Sequence, residues 1–242
     1  MPNIRSQLFN AGQTAELMIY DQIGQTFWGD GITAKHVADE LKKIGNAKTI
    51  NVRINSIGGS VSDGIAIYNL LKRNSARIEV DIDSAALSIA SVIAMAGDQI
   101  HMAKNAMFMI HDPWGMAHGN AVDMRKTADI MDQHKENLVT TYADRTLLDA
   151  DKISALMSDE TWYTAREAFE AGFIDDITEE TQIVARFDPK IFNRVPDEFK
   201  QRVLQALSDT PVVTPRLDVA DAMINRIQQR LRESAARAAT SA

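Results

Sequence analysis

The chain has 242 residues and no cysteine, and 45% of its residues are hydrophobic and 24% charged. These proportions are typical of soluble proteins with a full hydrophobic core, which excludes a wholly disordered or fibrous chain. The net charge of -7 would repel a phosphate backbone, so we expect no nucleic-acid partner. The lack of cysteine excludes disulfides and cysteine metal sites and is compatible with a reducing cytoplasm.

The apolar stretches are too short for a membrane protein. The N-terminus carries no apolar signal segment, and no window approaches the length needed to span a bilayer. The longest apolar stretch, residues 85–97, is interrupted by Ser88 and Ser91 and predicts a buried helix. We therefore expect a cytoplasmic protein without a membrane partner.

Strand-like and helix-like segments alternate through the first part of the chain. This alternation favours an α/β fold with a mostly parallel sheet covered by helices, and it directs attention to the strand-to-helix turns. The predicted elements are, in chain order, strand 14–20, helix 32–44, strand 48–55, helix 61–72, strand 77–83, helix 85–97 and short strands 99–103 and 106–110.

The rest of the chain is predicted to be mainly helical. A long polar helix from Asn120 to about Thr146 suggests a contact arm. Prolines punctuate the chain after about residue 187, so we predict one domain over residues 1–186 and a helical C-terminal extension over 187–242. The other predicted elements are helices 151–157, 164–171, 199–207 and 217–237, with a last strand region that begins at Phe173.

Ser88 is a candidate nucleophile. It follows the predicted strand 77–83 and should lie in the first turn of the buried helix, where free N–H groups would surround its hydroxyl. A small serine packed inside a tight helix is the structural alternative. Ser84, as a cap, and Ser91, as a packing residue, are rivals that periodicity does not separate from Ser88.

His111 is a candidate general base. It directly follows the apolar run Met-Phe-Met-Ile and precedes a loop, so it lies at the end of a buried strand. A hydrogen-bonded structural histidine would fit the same position. No HExxH or similar spacing indicates zinc, and we expect neither a metal nor a cofactor.

Residues 55–60, Asn-Ser-Ile-Gly-Gly-Ser, join a predicted strand to a predicted helix. Paired glycines let the backbone approach a substrate closely and present its N–H groups, although a plain tight turn is equally consistent with them. The segment lacks the GxxxxGK[ST] pattern, so a nucleotide site is not predicted.

Four ordered motifs carry a resemblance over roughly residues 15–180. They are NSIGGS, ALSIASVIAMAGD, MIHDPWG and WYTAREAFEAGFID, and their order and spacing resemble the proteolytic subunit of Clp protease. In that family the serine precedes an Ala-Gly pair by nine residues, which corresponds to Ser88 here. The resemblance implies His111 as the base and an oxyanion hole from the backbone N–H groups of Gly58 and Ile89.

The resemblance also implies a fold and an assembly. The expected fold is a ClpP/crotonase-type ββα superhelix, with the helix from Asn120 as a projecting handle between two rings. The expected activity is that of a serine-type endopeptidase, which hydrolyses polypeptide substrates through an acyl-enzyme inside a homo-oligomeric, typically heptameric, chamber. Any ATP dependence would come from a separate AAA+ unfoldase.

Several positions depart from the family pattern. Ile57 stands where proline is usual and Leu87 where alanine is frequent. Counting back twelve residues from Gly172 places Glu160 where the family commonly has aspartate as the third triad member, and the adjacent Asp159 is the alternative acid. Without the resemblance, this acidic pair fits a solvated helix cap equally well.

The Asn-Ser-Ile-Gly-Gly and Glu-Thr-Trp segments and the C-terminal extension are most similar to the phage head-maturation branch, which would make capsid proteins partners. Two other functions compete. A crotonase-type enzyme would bind acyl-CoA and need neither serine nor histidine. A non-enzymatic assembly protein would use the apolar stripe of residues 217–231 as a partner surface.

Overall fold

The computed structural model describes residues 4–9, 13–26, 29–185 and 187–208. The strands are β1 (Ile4–Phe9), β2 (Thr14–Ile19), β3 (Gln25–Thr26), β4 (Gly29–Asp30), β5 (Thr49–Ser56), β6 (Arg77–Leu87), β7 (Gln99–Ala103), β8 (Met107–Ile110), β9 (Thr161–Thr164) and β10 (Asp176–Thr178). The helices are α1 (Ala34–Ile44), α2 (Val61–Lys72), α3 (Ile89–Ala94), α4 (Ala121–Ala143), α5 (Ala150–Ser158), α6 (Ala165–Glu170) and α7 (Asp197–Ser208), with a 3₁₀ turn at Pro189–Ile191.

The main sheet has eight strands and is mostly parallel, as predicted. Its order is β1-β2-β5-β6-β7-β10, and β8 branches from β6 to pair with β9. Strands β2, β5, β6, β7, β8 and β10 join through parallel pairings, whereas β1 and β9 are antiparallel to their neighbours. The carboxyl ends of the parallel strands therefore meet at one edge, where strand-to-helix turns converge.

Apolar and polar side chains alternate along β5, and the apolar ones pack into the hydrophobic core. Ile50, Val52 and Ile54 are fully buried on one face, as the period of two requires. Helices α1 and α2 cover the core with apolar stripes at helical spacing. Thr33 caps α1, which begins at Ala34 rather than at residue 32, and Ser60 caps α2, which begins at Val61.

Strand β6 is longer than its predicted range, and the predicted helix over 85–97 is wrong at its start. Residues 85–87 continue the strand by pairing with β8, and α3 begins only at Ile89. Ala85 and Leu87 are buried with no polar alternation, because this end of β6 is covered on both faces. Such a short apolar run cannot be distinguished from a buried helix by periodicity.

Four strands have no counterpart among the predicted elements: β1, the two-residue strands β3 and β4, and β9. Strand β1 lies at the sheet edge and has mixed exposure, and β9 is a four-residue strand that pairs with β8. The last strand, β10, begins at Asp176, shortly after the predicted strand region that starts at Phe173. These elements are short or weakly patterned, so tertiary pairing rather than local periodicity defines them.

Contacts within the chain separate a unit Met1–Leu207 from a unit Ser208–Ala242. Residues 187–207, which the sequence assigns to the extension, pack as part of the first unit. Their side chains form a second apolar cluster with β6 and β8; its buried members are Ala85, Leu87, Met107, Met109, Ala185, Phe187, Phe192, Phe199 and Val203. The division into domains at 1–186 and 187–242 stays a prediction, and the predicted helix 217–237 lies outside the described residues.

Within the described ranges, no helix is long and apolar enough to cross a membrane. The same part of the chain contains no group of His, Asp or Glu side chains arranged to hold a metal ion.

Candidate active site

Ser88 occupies the junction between β6 and α3 in a strained conformation. Its φ of 56° and ψ of -131° lie outside the regions that L-residues normally occupy. Among the described residues other than glycine, only Ser88 and Glu160 have a positive φ. Such conformations cost about 1–3 kcal/mol and persist only where the surrounding structure enforces them. Both residues are members of the predicted triad, but Glu160 directly follows the end of α5, where a left-handed residue commonly terminates a helix.

The strained turn is held by hydrogen bonds to its backbone. The Ser88 N–H donates to the carbonyl oxygen of Met109 at 3.0 Å, and the Ser88 carbonyl accepts from the Ser91 N–H at 2.9 Å. The first bond ties the turn to β8. It thereby places Ser88 beside the end of β8, where His111 begins the loop.

His111 Nε2 lies 2.8 Å from Ser88 Oγ. The parallel register between β6 and β8, which aligns Leu87 with Met109, brings the ends of these two strands together. In the neutral tautomer that carries its proton on Nδ1, Nε2 accepts the hydrogen bond from the serine hydroxyl. This is the arrangement of a nucleophile next to a general base.

Burial lowers the pKa of His111 below its ordinary value, and the negative charges of Glu160 and Asp112 only partly offset this effect. Asp112 itself forms an ion pair with Lys135, whose Nζ lies 2.9 Å from Asp112 Oδ1. The neutral imidazole is therefore favoured at pH 7, which is the state that can accept a proton from Ser88.

The rival serines have structural partners. Ser84 Oγ accepts a hydrogen bond from the Ala185 N–H at 3.0 Å. Ser91 is fully buried, and its hydroxyl lies 3.0 Å from the Met109 carbonyl and 2.8 Å from the Tyr142 hydroxyl. Each of these two serines therefore has hydrogen-bond partners that account for its burial without a catalytic role.

The glycine turn, Gly58–Gly59, lies in close contact with Ser88. A Cβ on Gly58 would lie 2.6 Å from the Leu87 carbonyl oxygen and 2.7 Å from Ser88 Cβ. The Gly58 N–H, predicted as an oxyanion donor, donates to Ser56 Oγ at 3.2 Å. Within the described residues, the N–H groups of Gly59 and Ile89 have no acceptor. Gly59, which the sequence reasoning did not single out as a donor, therefore offers a free N–H in the same turn.

Glu160 and Asp159 have different settings. Asp159 caps the C-terminal end of α5, and its side chain is 69% exposed and faces Arg194. Glu160 is 8% exposed, and its charge acts on the pKa of His111. No hydrogen bond joins His111 to either acid among the described residues, so the third contact of a triad is not made in this structure.

The carboxylate of Glu160 binds instead to residues of the C-terminal segment. Asn193 donates to Glu160 Oε2 from its N–H at 3.1 Å and from its Nδ2 at 3.0 Å. The Arg194 N–H donates to Glu160 Oε1 at 2.7 Å and Trp162 Nε1 to the same atom at 3.2 Å. Burial opposes ionisation of Glu160, but these four hydrogen bonds outweigh it and lower its pKa.

A cleft of about 290 Å³ opens in front of Ser88 and His111. The glycine turn forms one wall, and Ile191 and Phe192 form another. The ring of Phe192 lies edge-on to that of His111, with centroids 5.9 Å apart. The sequence patterns do not predict this wall, because Ile191 and Phe192 lie beyond the domain boundary predicted at residue 186. The recurrence of phenylalanine at positions 187, 192 and 199 is the signal that could have indicated it.

Comparisons with known proteins bear on the family and the fold. The family model described as Clp protease matches residues 5–181. An ATP-dependent Clp protease proteolytic subunit from Bacteroides thetaiotaomicron is 35% identical over 139 residues, which are 57% of this chain and 63% of that relative. One from Streptococcus salivarius is 32% identical over 142 residues, 57% of this chain and 72% of that relative.

The chain thus spans 63% of the length of the Bacteroides thetaiotaomicron relative. Among solved structures, a ClpP1 mutant from Listeria monocytogenes aligns with a TM-score of 0.60 and 23% identity, over 70% of this chain and 93% of that chain. This likeness confirms the expected ClpP-type α/β fold.

Proposed function

This chain belongs to the Clp protease family, and on that basis we propose that it is a serine endopeptidase that hydrolyses peptide bonds through an acyl-enzyme. The observation that carries the proposal is the 2.8 Å contact between Ser88 Oγ and His111 Nε2. It is strengthened by the strained backbone of Ser88, because strain of this kind concentrates at functional sites.

The reaction begins when His111 Nε2 accepts the hydroxyl proton of Ser88 and Oγ attacks the substrate carbonyl carbon. The negative charge that develops on the carbonyl oxygen is stabilised by the N–H of Ile89 and by an N–H of the Gly58–Gly59 turn. Gly59 has a free N–H, whereas Gly58 would first have to leave Ser56. His111 then gives its proton to the leaving amine, and the acyl-enzyme forms.

Hydrolysis of the acyl-enzyme repeats these steps with water as the nucleophile. His111 takes a proton from water, the hydroxide attacks the ester carbon, and the proton returns to Ser88 Oγ as the carboxylic acid leaves. Glu160 is the acid that we assign to orient His111 and to stabilise its cationic form. No metal or cofactor is needed for any of these steps.

We assign polypeptides as substrates and a homo-oligomeric ring as the working assembly. Exposed apolar side chains on helix α4 are an argument for the ring. Val122 is 70% exposed, Met124 50% and Ile130 45%, and contact with another copy would cover them. The proposal also includes a separate AAA+ unfoldase as a partner, a cytoplasmic location, and a role in phage head maturation with capsid proteins. The last rests on the Glu-Thr-Trp segment and the C-terminal extension.

Labelling with a fluorophosphonate probe tests the nucleophile directly. The modified residue is mapped by mass spectrometry, and peptide hydrolysis is measured for the wild type and for Ser88→Ala. We expect the label on Ser88 and a rate loss of about 10⁴-fold or more in the variant. Label on Ser91, or a Ser88→Ala protein that cleaves at the full rate, would refute the assignment.

Two further measurements separate the alternatives. Native mass spectrometry of the same preparation reports whether rings form and how many copies they contain. Binding of acyl-CoA in a calorimeter without any fluorophosphonate labelling would favour a crotonase-type enzyme.

A further inference from the structure

Residues 188–194, which we name the strap, cross the front of the candidate active site. The strap begins with Asp188, which caps the 3₁₀ turn, and it ends where Arg194 meets the end of α5. Ile191 and Phe192 line the catalytic cleft together with Ser88 and His111. The strap therefore contacts the base and borders the site where a substrate would bind.

The strap fills the hydrogen-bonding capacity of Glu160. An ionised carboxylate offers about four acceptor positions on its two oxygens. Three of the four hydrogen bonds that Glu160 accepts come from Asn193 and Arg194, and the fourth comes from Trp162. No position is left for the Nδ1–H of His111.

His111 accordingly lacks the partner that a triad requires. The neutral tautomer that accepts from Ser88 carries its proton on Nδ1, and an acid must bind that proton to hold the ring. Within the described residues, the one hydrogen bond of the His111 ring is the contact with Ser88. The charge of Glu160 is near enough to act on His111, but its oxygens are held elsewhere.

We propose that the strap is an autoinhibitory latch, in which Asn193 and Arg194 hold the Glu160 carboxylate away from His111 until the strap is released. This inference rests on the proposed peptidase function, since it concerns the same triad. Release frees an acceptor position on Glu160, and the carboxylate then binds the Nδ1–H of His111. No covalent bond is formed or broken in this switch.

The packing of the strap is compatible with local release. Phe187 and Phe199 are buried at 6% and 2% exposure and anchor the chain on either side of it. Within the strap, Phe192 is also buried, at 8% exposure, and belongs to the same cluster, whereas the following Asn193 and Arg194 are exposed. Release of Asn193 and Arg194 alone therefore breaks their bonds to Glu160 and leaves Phe192 in the apolar cluster. The positive φ of Glu160 belongs to the end of α5, where the Glu160 N–H donates to the Met157 carbonyl at 3.1 Å, so release of the strap need not alter this backbone.

The substitution Asn193→Ala tests the latch. It removes the Nδ2 donor and leaves the backbone N–H, which opens one acceptor position on Glu160 Oε2. Because the loss of one hydrogen bond to a charged group shifts an equilibrium by about tenfold or more, we expect kcat for a short peptide to rise by about tenfold. We expect a much smaller change in KM.

Asn69→Ala is the matched control, because Asn69 is exposed on α2 and its side chain makes no hydrogen bond within the described residues. It should leave kcat unchanged. The double variant Asn193→Ala/Glu160→Gln should show no gain over Glu160→Gln alone, since the latch acts through Glu160. A fall in kcat for Asn193→Ala, or no difference from the control, overturns the latch.

A second readout does not depend on activity. In the Ser88→Ala background, the titration of His111 is followed by NMR with and without Asn193→Ala. The carboxylates that act on His111 are Glu160 and Asp112, and Asp112 is held by Lys135 in both proteins. Approach of Glu160 favours the imidazolium, so the pKa of His111 should rise on release.

An unchanged or lowered pKa of His111 refutes the latch even if Ser88 reacts with the probe. Conversely, failure of Ser88 to react with the probe refutes the proposed function, while the titration still reports on the latch. The two failures are therefore distinguishable.

Discussion

Gly58→Ala provides a direct test of how the glycine turn supports Ser88. Gly58 has a φ of 87°, which costs an alanine about 1–2 kcal/mol. The new Cβ would also lie 2.6 Å from the Leu87 carbonyl oxygen and 2.7 Å from Ser88 Cβ. Both neighbours belong to the backbone or its first side-chain atom, so relief requires a shift of the strand end itself, at a cost of about 1–3 kcal/mol.

The sum predicts a loss of about 2–5 kcal/mol in the free energy of unfolding. Ser88 should also move relative to His111, and displacement of about 1 Å can reduce a rate by about 100-fold. Urea unfolding followed by circular dichroism measures the first quantity. The rate of fluorophosphonate labelling in the absence of urea measures the second.

Gly45→Ala is the matched control. Gly45 has a φ of 66° and a ψ of -128°, close to the conformation of Ser88, but nothing lies within 4 Å of the position that an added methyl group would occupy. Only the backbone cost of about 1–3 kcal/mol therefore applies. Its labelling rate should equal that of the wild type. If Gly58→Ala were no less stable than Gly45→Ala, or labelled as quickly, the close approach of the turn to Ser88 would be refuted.

Two further predictions concern the base and the C-terminal segment. Because burial lowers the pKa of His111, kcat/KM should fall on the acid side with a midpoint below about 6.5. Glu160→Gln removes an anion near His111 and should move this midpoint lower still. A wild-type midpoint at or above about 6.5 would contradict the prediction. Deletion of residues 187–242 removes three buried phenylalanines, each worth about 3–5 kcal/mol, and should abolish folding. Deletion of residues 209–242 should leave the melting temperature and the labelling of Ser88 unchanged. A folded, reactive 1–186 fragment would show that the cluster is dispensable.

Local features of the candidate site could be predicted from the sequence. Helix α2 spans Val61–Lys72, as its period predicts, and Thr164 caps α6, which begins at the following residue. The motifs around Ser88 and His111 are short and ordered along the chain, so a resemblance is enough to select them. Their proximity in the structure follows from one parallel pairing between β6 and β8.

The setting of Glu160 could not be predicted in the same way. Its partners Asn193 and Arg194 lie 33 and 34 residues further along the chain, beyond a boundary drawn from composition. Hydrogen bonds over such separations leave no periodic pattern in the sequence. Counting from Gly172 predicts the acid, but the sequence contains no sign of what binds it.

The sequence alone determined the alternation of strands and helices, the capping residues and the order of the motifs, because each depends on neighbours within a few positions. Tertiary structure decided that β6 continues to Leu87, that Ser88 is strained, and that the strap closes over Glu160. These features arise where segments distant in the chain pack together, and the free energy of that packing overrides local preference.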